Sequence, residues 1–195
     1  MYQLITSPKT EIIPNGVDLT KFNYIDKKTC QDKLGWNKDK RHLLFAADPE
    51  RPEKNYPLFK MSIDLLPIDY NIEVHALTNI PNNDIPVHMN ASDVIILTSL
   101  HEGSPNVIKE AMACNLPIVV TNVGDVQWVI GKTEGCYISS FEPSDFSEKI
   151  SLALKFSENK KSTLGRDRII EIGLDAETIA LKLVSLYNKL VNHKD

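Results

Sequence analysis

Apolar residues along this chain fall into short continuous runs that alternate with stretches of helical period. The runs RHLLFAAD (Arg41 to Asp48), NIEVHAL (Asn71 to Leu77), DVIILTS (Asp93 to Ser99), LPIVVT (Leu116 to Thr121) and GCYIS (Gly135 to Ser139) predict strands. Between them, Tyr56 to Leu66 places Leu58, Phe59, Ile63 and Leu66 on one side of a helix, and Pro67 breaks it before the next strand. Further helices are predicted near Val87 to Ala91, after Ser104, and from a turn at Gly124 through Trp128. Three more close the chain, at Ser144 to Phe156, around Lys160 to Glu171, and at Ala176 to Asn192. Asn23 to Lys40 reads as a helix with polar flanks, and the first eleven or so residues as loosely attached. Strands alternating with helices predict an α/β fold, a Rossmann-like parallel sheet covered by helices on both faces.

The 195 residues suffice for one well-packed domain, and 42% hydrophobic with 25% charged is ordinary for a globular chain. A net charge of -4 argues against nucleic acid as the main partner. No apolar run reaches the ~20 residues that span a bilayer, and the first residues lack the apolar core of a secretory signal. The three cysteines have no metal-type spacing; Cys114 is expected buried in a helix and Cys136 in a strand, which fits a reducing, cytoplasmic setting. His42, His75, His88 and His193 form no ligand-spaced pair along the chain, so no metal site is expected.

The chemistry concentrates in HEGSPNVIKEAMA, His101 to Ala113, which joins a strand to a helix. Ser104 is suited to cap that helix and Pro105 to stand at its first position. Unpaired N–H groups and the helix dipole make such a turn a phosphate site. Glu102 in the loop and Glu110 within the helix do not favour a phosphate, so a ligand that also carries hydroxyls, such as a nucleotide sugar, is expected. Glu110 neighbours Val107, Ala111, Ala113 and Cys114, and a carboxylate there needs a donor partner; a ribose diol is suitable. Arg51 and Lys54, in the loop after the first sheet strand, could neutralise a diphosphate. His101 reads as a surface or packing residue. No Walker loop, nucleophile elbow or GxGxxG fingerprint is present.

These segments resemble, in order, the C-terminal lobe of the family-4 retaining glycosyltransferases, which have the two-domain GT-B fold. IIPNGVDLTKF is similar to the segment that leads into this lobe, LLFAADPERPEKN to the strand and loop carrying the donor-diphosphate Arg and Lys, and LVSLYNKL to the final helix. The block ASDVIILTSLHEGSPNVIKEAMACNLPIVVTNVGD, with two glutamates seven residues apart, carries the most specific part of the resemblance. It implies that Glu110 binds the ribose, that Glu102 faces the donor sugar near its reacting carbon, and that backbone N–H groups from Gly103 through Ser104 and Asn106 to Val107 hold phosphate and sugar. Lys54 and Arg51 would stabilise the departing diphosphate. It implies retention of anomeric configuration, a UDP- or GDP-type donor, no cofactor and no metal ion. It further implies a glycan or lipid-linked acceptor in cell-surface polysaccharide synthesis, at the inner face of the membrane.

The resemblance divides the chain into an incoming segment (1–22), a nucleotide-sugar-binding domain (23–174) and a C-terminal helix (175–195) that crosses back to an N-terminal acceptor lobe outside this sequence. Without that lobe, donor binding but no transfer is expected. Some positions depart from the family pattern. Ala47-Asp48 stands where Gly-Arg is common, Trp128 where a glutamate is common, and Pro105 removes one N–H from the turn. The span from Leu77 to Ala91 is too short for the usual strand and helix, so one strand fewer is expected and Thr78 to Ile80 are candidates for the base-contacting role. The rival readings are a catalytically inactive nucleotide-binding or scaffolding module of the same fold, and a response-regulator-like α/β domain. The latter needs an acidic cluster that Asp48 alone does not supply.

Overall fold

In a computed structural model, residues 11–160 and 162–192 are described; the loosely attached start and His193 fall largely outside them. Five parallel strands, β1 (Arg41–Phe45), β2 (Ile72–Ala76), β3 (Val94–Leu97), β4 (Ile118–Thr121) and β5 (Cys136–Ser139), form one sheet in the order β2-β1-β3-β4-β5. The strand saved between Leu77 and Ala91 is therefore absent, as the short span predicts. Residues Leu43 to Phe45 pair with Val94 to Ile96, and Ile95 to Leu97 with Ile118 to Val120. β3 and β4 are buried at every residue, the reason they read as unbroken apolar runs rather than alternations.

Among the described residues the helices are α1 (Lys27–Leu34), α2 (Tyr56–Asp64), α3 (Ile85–Ala91), α4 (Asn106–Ala113), α5 (Val126–Ile130), α6 (Pro143–Lys160), α7 (Gly165–Glu171) and α8 (Ala176–Asn192). On one face, Leu43, Phe45, Val94, Ile96 and Val119 pack against Leu58 and Phe59 of α2 and Phe146, Ile150 and Leu154 of α6. On the other, Leu44, Ile95, Leu97, Ile118 and Val120 pack against Met89 of α3, Ile108, Ala111 and Met112 of α4, and Val126 and Val129 of α5. The polar-flanked segment after Asn23 forms a helix only over Lys27–Leu34, where Asp26 accepts from the Thr29 N–H and Gly35 ends it in a left-handed conformation. The final predicted helix matches α8. The helix predicted at Ser144 to Phe156 extends four residues past Phe156 as α6, the stretch around Lys160 to Glu171 is helical over Gly165–Glu171 as α7, and Cys114 caps the end of α4 rather than lying within it. Burial pushes the Cys114 thiol up to about 12, so it is an inert core residue.

The incoming segment is held to the fold. Val17 donates its N–H to the Leu174 carbonyl (2.9 Å) and accepts from Ala176 (2.9 Å), a short parallel bridge at the α7–α8 junction. A Cβ at Gly16 would lie 2.7 Å from the Ala176 Cα, so this close approach requires glycine. The Arg166 guanidinium donates to the carbonyls of Leu19 and Phe22 (both 2.9 Å) and binds the segment from the other side.

Between β5 and α6, Asp145 Oδ2 accepts from Ser139 Oγ (2.9 Å), the Ser140 N–H (2.7 Å) and Ser140 Oγ (2.8 Å). The Ser140 N–H and hydroxyl hold the Asp145 carboxyl at about 2, below its usual 3.8. A depressed carboxyl stabilises the fold above pH 3.8 and loses that contribution as pH falls through 2. Asp145→Ala is expected to lower stability in urea unfolding by about 1 kcal/mol at pH 7, with the difference from wild type shrinking below pH 3.8.

Candidate functional site

The direction of chain progression reverses between β1 and β3, because β1 leads outward to β2 at one edge and β3 leads outward to β4 and β5 toward the other. In an open parallel sheet the crevice above such a reversal, at the carboxyl ends of the strands, is where ligands lie. Two loops line it, from Ala46 to Asn55 after β1 and from Thr98 to Pro105 after β3. They are fastened together. The Thr98 hydroxyl donates to the carbonyls of Lys54 (2.7 Å) and Asn55 (3.0 Å), and the Leu100 N–H donates to the Glu53 carbonyl (2.9 Å). A 3-10 turn at Pro52–Lys54 and a left-handed Asn55 then lead into α2, so Lys54 is presented at the crevice by fixed backbone.

Lys54 Nζ meets Glu102 Oε1 at 2.5 Å, and the Ser99 hydroxyl donates to the same oxygen at 2.8 Å. Both partners of this ion pair are largely buried. Sequence alone leaves Glu102 free to be an exposed loop residue; the structure places it beside Lys54. Arg51 reaches the same hollow, but its guanidinium pairs with Glu53, Nε donating at 2.8 Å. The hollow, about 480 Å³, is bounded by Ala46, Arg51, Lys54 and Glu102 on one side, by Thr78 and Asn79 after β2, and by Asn106 and Val107 at the start of α4.

The start of α4 differs from the expected cap. Helical residues begin at Asn106, Pro105 takes the cap position in extended conformation, and no side chain caps the end. Ser104 instead donates its hydroxyl to Asp125 Oδ2 at 2.6 Å, because Asp125, buried at the start of α5, offers a stronger acceptor than a helix N–H offers as donor. The N–H groups of Asn106 and Val107 stand in the open first turn of α4, with no intrahelical acceptor to reach. Behind this turn, Gly124 has φ +57°, and a Cβ there would come within 2.2 Å of the Gly103 oxygen.

Glu110 lies on the far side of the same helix end. Burial pushes its carboxyl up, with Lys21 and Lys109 opposing, and no side chain among the described residues hydrogen-bonds it. It lines a second hollow of about 290 Å³ with Asp18, Lys21, Asn82 and Asn106, so Asn106 separates the two cavities. Lys109 is a residue that sequence reasoning misses. It is only 1% exposed and donates to the Asn15 carbonyl at 2.9 Å, joining α4 to the incoming segment. Burial pushes its amine down. Lys109 sits on the apolar side of α4 between two buried neighbours, Ile108 and Ala111, which is the available sequence signal. Asp125 is also missed, and its Oδ1 is buried without a hydrogen-bond partner among the described residues. Gly103 and His101 are exposed, and Trp128 lies exposed on α5 with its carbonyl accepting from Arg168 at 3.0 Å.

The site thus holds a fixed cation–carboxylate pair, an open helix N-terminus and a second carboxylate lacking donors. Together these suit a ligand with a diphosphate between two hydroxyl-bearing groups. Residues 37–155 match the family model described as glycosyl transferases group 1. The Escherichia coli UDP-Gal:alpha-D-GlcNAc-diphosphoundecaprenol alpha-1,3-galactosyltransferase is 29% identical, covering 95% of this chain and 56% of that protein. The putative teichuronic acid biosynthesis glycosyltransferase TuaC of Bacillus subtilis is 25% identical over 73% of this chain and 41% of its own length. Sucrose-phosphate synthase of Thermosynechococcus elongatus superposes with a TM-score of 0.80 at 19% identity, over 95% of this chain and 54% of that one. Anabaena HepE in complex with UDP superposes at 0.74 with 17% identity, over 92% and 57%. The chain spans about half the length of the relatives it matches.

Gly124→Ala is expected to destabilise the chain by more than about 1 kcal/mol in denaturant unfolding, because an alanine must both adopt positive φ and displace the Glu102–Gly103 backbone.

Proposed function

The chain belongs to the glycosyl transferases group 1 family, and from that membership we propose that it is the donor-binding lobe of a retaining glycosyltransferase that uses a nucleotide-diphosphate sugar. The observation that carries this reading is the placement of Glu102 and Glu110 on opposite sides of one open helix end, the first paired with Lys54 and the second half-buried with no side-chain donor among the described residues. A ribose diol offers Glu110 two O–H donors, which offset the cost of its burial. The diphosphate lies over the N–H groups of Asn106 and Val107, with the exposed Gly103 and the Asp125-bound Ser104 shaping the turn. The donor sugar then reaches Glu102.

Lys54 supplies the electrostatic step. As the bond from the anomeric carbon to the diphosphate breaks, negative charge grows on the leaving oxygen, and an ammonium already held by backbone and Glu102 stabilises it without reorganisation. Arg51 adds a second cation once its guanidinium leaves Glu53. Thr78 to Ile80, at the carboxyl end of β2, take the base side of the hollow. No metal ion is required in this scheme, since the two cations and the helix end do the neutralising.

The acceptor is assigned to a second lobe. Residues Leu181, Val184, Tyr187, Leu190 and Val191 leave an apolar surface on α8 open to solvent, suited to dock against such a lobe. The named acceptor of the Escherichia coli relative is a sugar on diphosphoundecaprenol, and TuaC is named for a teichuronic acid pathway. By that likeness we assign the whole protein a lipid-linked or glycan acceptor in cell-surface polysaccharide synthesis, at the cytoplasmic face of the membrane. Among the described residues no helix is long and apolar enough to cross a membrane. The lobe alone would bind donor and transfer nothing.

Calorimetric titration with UDP, GDP and ADP tests the reading. Binding of UDP or GDP is expected, weakened at least about tenfold, or about 1.4 kcal/mol, in Glu110→Ala. Absence of nucleotide binding, or equal affinity in the variant, would contradict it.

A further inference from the structure

A second cluster lies away from the donor crevice, beneath the edge of the sheet. His42 of β1 is fully buried on the face that carries Leu44, yet its neighbour there is another imidazole. His42 Nδ1 and His75 Nε2 stand 2.9 Å apart, and Glu73 Oε1 lies 3.7 Å from His75 Nε2. These three donor atoms all fall within 4.8 Å of one another. A tetrahedral ion with bonds of ~2.0–2.1 Å keeps its donors roughly 3.3 Å apart. The histidine pair is therefore already close to chelating distance, and only the Glu73 carboxylate has to swing inward.

The surroundings orient the donors. His42 Nε2 lies 2.9 Å from the Asn37 carbonyl and must donate to it, which leaves the Nδ1 lone pair facing His75. A backbone carbonyl on the remote ring nitrogen is the arrangement that fixes metal-ligating histidines. Trp36 stacks on the His75 ring, centroids 3.5 Å apart and planes within 6°, and holds it in place. Glu73 is kept as a carboxylate at the rim by Lys40, whose Nζ lies 3.2 Å from the other oxygen, Oε2. His75 and Glu73 are partly open to solvent, which gives an ion an entrance and room for a water as fourth ligand.

We propose that His42, His75 and Glu73 form a binding site for a divalent transition-metal ion of the Zn²⁺ class, a structural staple between β1 and the edge strand β2. Two imidazoles and one carboxylate match that class of ion and suit Mg²⁺ or Ca²⁺ poorly. The site is separate from the sugar-donor chemistry and does not depend on it. Its effect reaches the crevice only through the strands, since β1 and β2 carry the loops with Lys54 and Thr78. Sequence spacing conceals it because the two histidines, 33 residues apart, come from adjacent strands rather than one helix.

The test is a titration of the chelator-treated full chain with Co²⁺, followed by the visible d–d absorption, then displacement by Zn²⁺. One Co²⁺ per chain with tetrahedral-type bands is expected, displaced by Zn²⁺. Glu73→Gln and His75→Asn are expected to weaken binding tenfold or more, within the range for lost metal-site contacts. Both replacements are at partly exposed positions, so circular dichroism can verify that each variant folds. Absence of d–d bands and of Zn²⁺ binding up to about millimolar metal, or binding unchanged in either variant, would overturn the proposal and leave a histidine–histidine hydrogen bond.

Discussion

The hydrogen bonds from the Thr98 hydroxyl to the Lys54 and Asn55 carbonyls are the constraint on which the crevice depends. Thr98 is the residue after β3, fully buried at the centre of the sheet, and it fixes where the loop after β1 turns back. That turn decides the position of Lys54, and Lys54 in turn decides the position of Glu102. A strand order that reverses between β1 and β3 opens a gap there, and the threonine keeps the gap at a defined width. The cation–carboxylate pair is then a consequence of sheet topology plus one hydroxyl.

The other wall of the crevice is built by close backbone approach rather than by side chains. Gly124 leaves room for the Gly103 carbonyl, and Asp125 beside it takes the Ser104 hydroxyl. Lys109 and Arg166 brace the same region from behind by donating to carbonyls of Asn15, Leu19 and Phe22. Buried cations that end on backbone carbonyls cost desolvation free energy. Here the buried Lys109 fastens the incoming segment to α4, whose open end forms the site, and the partly buried Arg166 fastens it to α7. Stability and site geometry therefore share residues, and Asp125 Oδ1, buried without a hydrogen-bond partner among the described residues, lies beside the Ser104 turn.

Much of the fold is legible because the central strands are buried on both faces. Runs such as Val94–Leu97 and Ile118–Thr121 admit no other reading once helices alternate with them. Strand ends are less legible: Ala46 and Ala47 continue the apolar pattern, yet the chain leaves the sheet after Phe45 to form the crevice. At the site, the residue types of Glu102, Glu110, Lys54 and Arg51 can be read in order. Their pairings cannot, because Glu53 competes for Arg51 and Asp125 competes for Ser104 through contacts set by tertiary structure. The histidine cluster is illegible for the same reason, since register between β1 and β2 creates it.

Two sites of different chemistry are thus proposed on one sheet, a donor crevice above the carboxyl ends of its strands and a histidine–carboxylate cluster beneath its edge. In the proposed donor crevice two glutamates divide one ligand across a helix end. A crystal structure of the chain with UDP or GDP, whichever titrates tighter, tests this most directly. The account predicts ribose hydroxyls on Glu110, the diphosphate over the N–H groups of Asn106 and Val107, and Lys54 turned toward its oxygens. A nucleotide seated elsewhere, or one whose ribose lies against Glu102 while Glu110 remains without a donor, would contradict it.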